Sequence, residues 1–273
     1  MPDDRRELMV DLRFGTYLAP NMLDVYRAIT NRVGTVLRCS TELVVETDYE
    51  SCRADVNDVC FVCSLPYIMF ERQGIDPAIP VAAPVLAGRR YRGQPIYYSD
   101  VIVRRDSPFQ SFADLRGHSW AYNERLSQSG YGITRYVMVE RGLTAGFFGK
   151  IVEAGFHEAA IRLVAEGEVD ASAIDSQVLA VELYHHPELA ALLRVVETLG
   201  PSTIQPIAVS RRIDSVLRSR IQDALVSIHR DPESVRALAR GMITRLVPVG
   251  RQSYDDIRRM VDACQRAGYM ELS

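Results

Sequence analysis

Ser127-Gln128-Ser129-Gly130-Tyr131-Gly132 is the segment of this 273-residue chain best suited to chemistry. It stands between a predicted strand and a predicted helix. Small hydroxylated residues and glycines there leave the first backbone N–H groups of the helix open. The positive end of the helix dipole adds to them, so the segment suits an oxyanion. The plainer alternative is that Ser127 or Ser129 only caps the helix. His157 follows the next predicted strand, in Glu153-Ala-Gly-Phe-His-Glu158, and Asp175 follows the one after, in Ala171-Ser-Ala-Ile-Asp-Ser176. In a parallel sheet the carboxyl ends of successive strands share one edge, so these three groups are expected to converge. Taken singly, His157 fits a helix start and Asp175 an N-cap equally well.

Ser129, His157 and Asp175 also allow a Ser-His-Asp hydrolase, because such a set occurs in any chain order. Ser129 lacks the Gly-x-Ser-x-Gly elbow that would expose a nucleophile, which argues against it. His157-Glu-Ala-Ala-Ile161 has isoleucine where a zinc motif needs its second histidine. Cys60-Phe-Val-Cys63 has the spacing of a metal or redox pair, but it lies in an apolar run ending in Ser-Leu-Pro, where cysteine behaves as a small hydrophobe. No metal or cofactor is implied. Elsewhere Tyr17 with Asn21, Thr47-Asp48-Tyr49, Ser64-Leu-Pro-Tyr67 and Tyr97-Tyr98-Ser99 set phenols and hydroxyls at predicted strand ends. Tyrosine supplies contact area at low entropic cost together with one hydrogen bond, as a ligand-releasing wall requires.

The elements that must position these groups alternate between strand and helix, the grammar of an α/β fold with largely parallel sheets. Strands are predicted at 8–17, 43–46, 59–63, 80–87, 96–103, 118–122, 150–154, 171–175, 195–198 and 207–210. Helices are predicted at 21–36, 66–73, 130–141, 158–167, 177–185, 214–228, 232–241 and 254–268. Ser111 with Asp114 three positions on predicts a capping box. The chain is expected to leave one lobe near Asp100 and return near Gln205, giving lobes 1–100 plus 205–273 and 101–204, joined by two hinge strands around a ligand cleft.

Composition removes whole classes of partner. With 47% hydrophobic and 25% charged residues the chain is an ordinary globular one, and 32 Lys+Arg against 35 Asp+Glu leave no basic surplus for a nucleic-acid backbone. The longest uncharged stretch, Pro77 to Gly88, carries three prolines and falls short of the roughly 20 apolar residues of a membrane helix, so no membrane insertion is expected. Glu7, Asp11 and Arg13 interrupt any apolar export signal at the start, and five cysteines form no even disulfide framework. Two locations follow: periplasmic if an export segment has been removed, cytoplasmic if Met1 is the true start.

The chain resembles the phosphate/phosphite/phosphonate-type substrate-binding proteins of ABC transporters. The segments that carry the likeness run from Tyr97-Tyr-Ser-Asp-Val-Ile-Val-Arg-Arg-Asp-Ser-Pro108 through Phe112-Ala-Asp-Leu-Arg-Gly117 and Ser127-Gln-Ser-Gly130. Gly155-Phe-His-Glu-Ala-Ala-Ile-Arg162 and Gly167-Glu-Val-Asp-Ala-Ser-Ala-Ile-Asp175 complete the set. The resemblance implies a two-lobed, type II periplasmic-binding-protein-like (Venus flytrap) fold. It also implies non-catalytic capture of a small phosphonate- or phosphate-like oxyanion, with an ABC transporter permease as partner. Ser127, Gln128 and Ser129 would hold the anion, with His157 donating beside them. Asp175 would face a protonated phosphonate oxygen or an amino substituent. Tyr49 matches the family's tyrosine on the first lobe, and Tyr98 and Ser99 its hinge-side cleft residues. Gln128 stands where the family commonly has threonine, and Phe156 where it usually has serine. A cytoplasmic ligand sensor and an enzyme of the related thiamine-pyrimidine-synthase type are the alternatives of the same fold. That enzyme's cysteine-rich iron motif is not present here.

Overall fold

The computed structural model describes residues 11–76, 78–144 and 146–273. From its start the chain forms β1 (Leu12–Thr16), α1 (Leu23–Leu37), β2 (Thr41–Val45), the one-turn α2 (Glu50–Arg53), β3 (Val59–Phe61), α3 (Ser64–Arg72) and β4 (Ala78–Leu86). A middle section supplies β5 (Ile96–Arg104), β6 (Ser119–Tyr122), α4 (Ile133–Glu140), β7 (Lys150–Glu153), α5 (His157–Glu166), β8 (Ala171–Asp175), α6 (Ser176–His185), α7 (Pro187–Leu192) and β9 (Leu193–Thr203). The last section adds β10 (Ile207–Ser210), α8 (Ser215–Val226), α9 (Pro232–Arg240), β11 (Ile243–Pro248) and α10 (Asp255–Arg266). The predicted beginning of the first strand, Leu8 to Val10, lies outside the described residues.

These strands make two sheets, ordered β11-β4-β10-β3-β1-β2 and β7-β6-β8-β5-β9. Both are mixed, and together they hold more antiparallel than parallel pairings, where the sequence predicts largely parallel sheets. β1 pairs parallel with β2 and β3, but β10 runs antiparallel between β3 and β4, and β11 antiparallel to β4. In the second sheet β6 pairs parallel with β7 and β8, while β5 is antiparallel to β8 and β9. Two of the reversed strands, β5 and β10, are the ones that arrive from the other sheet; the third, β11, is reached through α8 and α9 on its own side. β5 lies wholly in the second sheet, so the chain leaves the first between Leu86 and Ile96, ahead of Asp100, and returns between Thr203 and Ile207.

Each sheet has its own core. Phe14, Ile29, Val33, Phe61 and Leu246 anchor the first, and Phe112, Trp120, Phe147 and Phe148 the second. α1 packs on its sheet because Val25, Ile29 and Val33 recur on one helical face, and it ends where Arg38 adopts a left-handed conformation. The capping box at Ser111 and Asp114 is present, starting a single 3-10 turn, Phe112–Leu115. The helical C-terminus serves both sheets, because Met260 and Tyr269 pack in the core of the second.

Gly149 holds a tight backbone approach: a Cβ there would stand 2.2 Å from the carbonyl oxygen of Gly117. The two strands of chain are already tied by the bond from the Gly149 N–H to the His118 carbonyl, 2.9 Å. Backbone cannot yield as a side-chain tip does, so Gly149→Ala is expected to destabilise the protein by about 1–3 kcal/mol. Urea unfolding checks this, and an unchanged midpoint would contradict the packing described.

Candidate functional site

Between the sheets lies a cavity of about 440 Å³. Its walls are the chain segments leaving the carboxyl ends of β1, β2 and β3 on one side and of β6, β7 and β8 on the other. Tyr17, Tyr49, Ser127, Ser129, His157 and Asp175 all line it, so the strand-end argument brings together residues as far apart as 17 and 175.

The serine turn is a π-turn, Gln128–Gly132, ahead of α4. This differs from the plain α-helical start predicted at Gly130. Such wide turns hold an extra residue and recur at functional sites. Ser127 caps it, its Oγ accepting from the Gly130 N–H at 3.1 Å, so the capping alternative holds for this serine. Ser129 does something else: its Oγ meets His157 Nε2 at 2.9 Å. At Gly130 a Cβ would fall 2.1 Å from Asn123 Oδ1, so any other residue there would have to displace that side chain.

His157 is the first residue of α5, and its environment decides its charge. Burial pushes its pKa down to about 3, so the imidazole is neutral at physiological pH. In the tautomer protonated at Nε2 it donates to Ser129 Oγ, which frees the serine hydrogen for an anion. Its Nδ1 is buried without a partner. Asp175 makes no relay with it: Oδ1 accepts instead from the Gln177 N–H at 2.7 Å and the Val178 N–H at 3.4 Å, capping α6. The Ser-His-Asp arrangement of a hydrolase is therefore not assembled.

Four of the expected site residues do not line the cavity. Gln128 is fully buried behind the turn, its amide donating to Ser202 Oγ at 3.3 Å. Ser99 is also fully buried and donates to the Ser129 carbonyl at 2.7 Å, so it braces the turn from behind. Ser64 opens α3 and is buried beneath it. Tyr98 points away, its hydroxyl donating to the Arg90 carbonyl at 3.1 Å. Its neighbour Tyr97 lines the cavity instead, because successive residues of a strand face opposite sides.

On the opposite wall Tyr17 and Tyr49 stack with ring centroids 5.0 Å apart. Tyr17 is held by Ser51 Oγ at 2.6 Å and by the Asn57 amide at 3.1 Å, while the Tyr49 hydroxyl is buried without a partner. Phe156, 57% exposed, stands at the mouth.

The charge of the lining is one-sided. Glu46, Asp48, Glu124, Glu153 and Asp175 line the cavity, and among the described lining residues none is lysine or arginine. Burial, with the nearby Glu153 adding to it, raises the Glu124 pKa to about 7. Burial raises Asp175 to about 7 as well, against the N–H groups of Gln177 and Val178 that pull it down. Glu124 and Glu153 were not singled out by spacing, since nothing local marks a glutamate after a strand as facing a cavity. Among the described residues no group of three or more His, Cys, Asp or Glu side chains is placed to hold a metal, and Cys63 Sγ accepts from the Gln128 N–H at 3.4 Å. No helix among them is long and apolar enough to cross a membrane.

Comparison with known proteins agrees with this architecture. Residues 16–254 match the family model described as ABC transporter, phosphonate, periplasmic substrate-binding protein. A stretch of 153 residues is 26% identical to the phosphonates-binding periplasmic protein of Escherichia coli K12; it is 54% of this chain and spans 45% of that protein's length. Two solved structures share the fold. The binding protein component of an ABC phosphonate transporter from Pseudomonas aeruginosa superposes with a TM-score of 0.82 at 17% identity, over 95% of this chain and 88% of that one. PhnD1 from Prochlorococcus marinus, in complex with methylphosphonate, gives 0.81 at 15% identity, over 95% and 98%. With the family model covering the chain from the last residue of β1 to the residue before α10, the chain belongs to the phosphonate periplasmic substrate-binding protein family of ABC transporters.

Proposed function

We propose that this chain captures a small phosphonate-like oxyanion in the cavity between two lobes, as the solute-binding component of an ABC transporter, without chemical turnover. The observation that carries the reading is the pairing of Ser129 with a neutral His157 at the mouth of a π-turn, inside a cavity with no lysine or arginine among its described lining residues. Hydroxyl and backbone donors at a helix start can hold an oxyanion that releases again, because no full countercharge is locked to it.

The lobes in this reading follow the sheets, with the hinge in the two connections, 87–95 and 204–206. Ser127, Ser129, His157 and Asp175 sit on one lobe, Tyr17 and Tyr49 on the other, so closure completes the shell and couples binding to hinge motion. The carboxylates of the lining suit a second feature of the ligand: a cationic substituent, such as an ammonium group, facing Glu124 and Asp175. Membership of the family supports work in the periplasm and delivery to a permease.

A thermal-shift panel tests this reading. Methylphosphonate and 2-aminoethylphosphonate are expected to stabilise the protein, by about 2.7 kcal/mol at a hundred times the dissociation constant. Sulfate and simple carboxylates are expected to do far less. A panel in which neither phosphonate raises the melting temperature would overturn it.

A further inference from the structure

Beside the cavity the two lobes are bonded directly to each other. Pro20 lines the cavity on one lobe and His157 on the other, and the residue after each reaches across. Asn21 lies in the turn Pro20–Met22 between β1 and α1, and its backbone N–H donates to Glu158 Oε1 at 3.1 Å. Its side-chain amide donates to the Val178 carbonyl at 3.3 Å and to Glu182 Oε2 at 3.4 Å, both on α6. Glu182 is buried and held from its own lobe by Arg162, 3.3 Å away. Val181 packs into the core of the first sheet although α6 belongs to the second, and the Gln177 amide donates to the carbonyl of Gly241, just after α9, at 2.7 Å. One face of α6, from Gln177 to Glu182, is thus seated on the first lobe. The same helix is capped by Asp175, which lines the cavity, so one rigid element carries both a site residue and the contact between lobes.

We propose that Asn21, with Glu158 and Glu182, is a latch across the cleft, a positioning residue that holds the lobes shut and sets how long a ligand stays. None of the three lines the cavity, so the latch acts on the ligand only through closure. The proposal rests on the division into lobes given above. All of its bonds lie within the protein, and they therefore hold the lobes whether or not a ligand is bound. Bound ligand leaves only after the lobes part, so each bond that keeps them together slows its dissociation.

The latch is also built to release. Two of its three bonds are longer than 3.2 Å, where N–H···O bonds are already weak. Asn21 Oδ1 and Glu158 Oε2 are buried without a partner among the described residues. Opening returns both oxygens to water, which offsets part of the bonding lost.

Small-angle X-ray scattering of the ligand-free protein tests the latch, with the wild type compared to Asn21→Ala and Asn21→Asp. The first variant removes the side-chain donors, and the second sets a carboxylate against Glu158 and Glu182. The radius of gyration is expected to grow in both, more in Asn21→Asp, with far-UV circular dichroism unchanged. Adding Glu182→Gln to Asn21→Asp should bring the radius back toward the wild type, as a general loss of packing would not. Methylphosphonate should dissociate about 3- to 10-fold faster from Asn21→Ala in surface plasmon resonance, the effect of one ordinary hydrogen bond. Hydrogen exchange gives a reading that needs no variant: the Asn21 N–H, whose acceptor lies across the cleft, should be protected in the ligand-free wild type. Unchanged scattering in both single variants, or exchange of that N–H at the rate of an unstructured peptide, would overturn the latch. Scattering and exchange use no ligand, so they decide the latch even where the wild type fails to bind methylphosphonate, a result that counts against the preceding reading instead.

Discussion

Ser129→Ala is expected to weaken methylphosphonate binding by about 10- to 100-fold, measured by isothermal titration calorimetry. A hydrogen bond to a charged group contributes about 1.5–3 kcal/mol, and each 1.4 kcal/mol is tenfold in affinity. Ser129 Oγ is 2.9 Å from His157 Nε2 and 3.4 Å from Ser127 Oγ, so it joins the two other donors of the turn. Alanine removes the anion's donor and leaves His157, 6% exposed, without a partner on either ring nitrogen. Thermal stability of the unliganded protein should fall as well, by about 1–3 kcal/mol, since a buried ring nitrogen loses its partner. Undiminished affinity in the variant would mean that the anion sits elsewhere.

The second large effect is a dependence on pH that differs between ligands. Glu124 and Asp175 both titrate at about 7, raised there chiefly by burial. An ammonium group facing them favours their ionised forms and lowers both pKa values, so binding such a ligand below pH 7 expels protons. Affinity for 2-aminoethylphosphonate relative to methylphosphonate should therefore rise as pH increases through about 7 and level off above it. Taking the ratio of the two ligands cancels only the effects of pH common to both, and the Glu124→Gln variant separates the protein's titration from that of the ligands' own phosphonate groups. The slope is at most about tenfold per pH unit for each proton released. Glu124→Gln should flatten the ratio and reduce the preference for the amino compound by about tenfold or more at high pH. A ratio that is flat in the wild type would contradict a cationic subsite.

The same two groups affect folding stability with a definite sign. A carboxyl whose pKa is raised on folding holds a proton that the unfolded chain has released, so its contribution is present at low pH and lost as pH rises through about 7. A bound ammonium group offsets that loss, which links ligand and stability in one pH window.

Much of the site was legible because it follows from strand ends. Ser127, Ser129 and His157 follow a strand of the β6-β7-β8 set and Asp175 ends one, and parallel neighbours put such residues on one edge. The elements themselves were readable from periodicity, as α1 and the Ser111 capping box illustrate. What was hidden depends on non-local pairing. β11, Ile243–Pro248, carries Thr244 and Arg245 between its buried Ile243 and Leu246, and it exists as a strand only through its antiparallel pairing with β4. The directions of β5 and β10 follow from crossing between sheets, which no local pattern records.

Within the site the errors are geometric too. Tyr97, Tyr98 and Ser99 look equivalent as a polar strand end, but alternation sends Tyr97 to the cavity, Tyr98 outward to Arg90, and Ser99 inward behind Ser129. Gln128 is hidden by the π-turn, which rotates it from the cavity toward Ser202 and Met260. The carboxylate lining emerges only when segments leaving both sheets are brought together.

The central claim is capture without conversion, and one titration tests it most directly. Methylphosphonate is titrated into the protein by calorimetry, and the ligand is then recovered and examined by phosphorus NMR. The account predicts saturable binding of one molecule per chain, with the recovered phosphonate unchanged and its carbon–phosphorus bond intact. Absence of saturable binding, or release of inorganic phosphate, would contradict it.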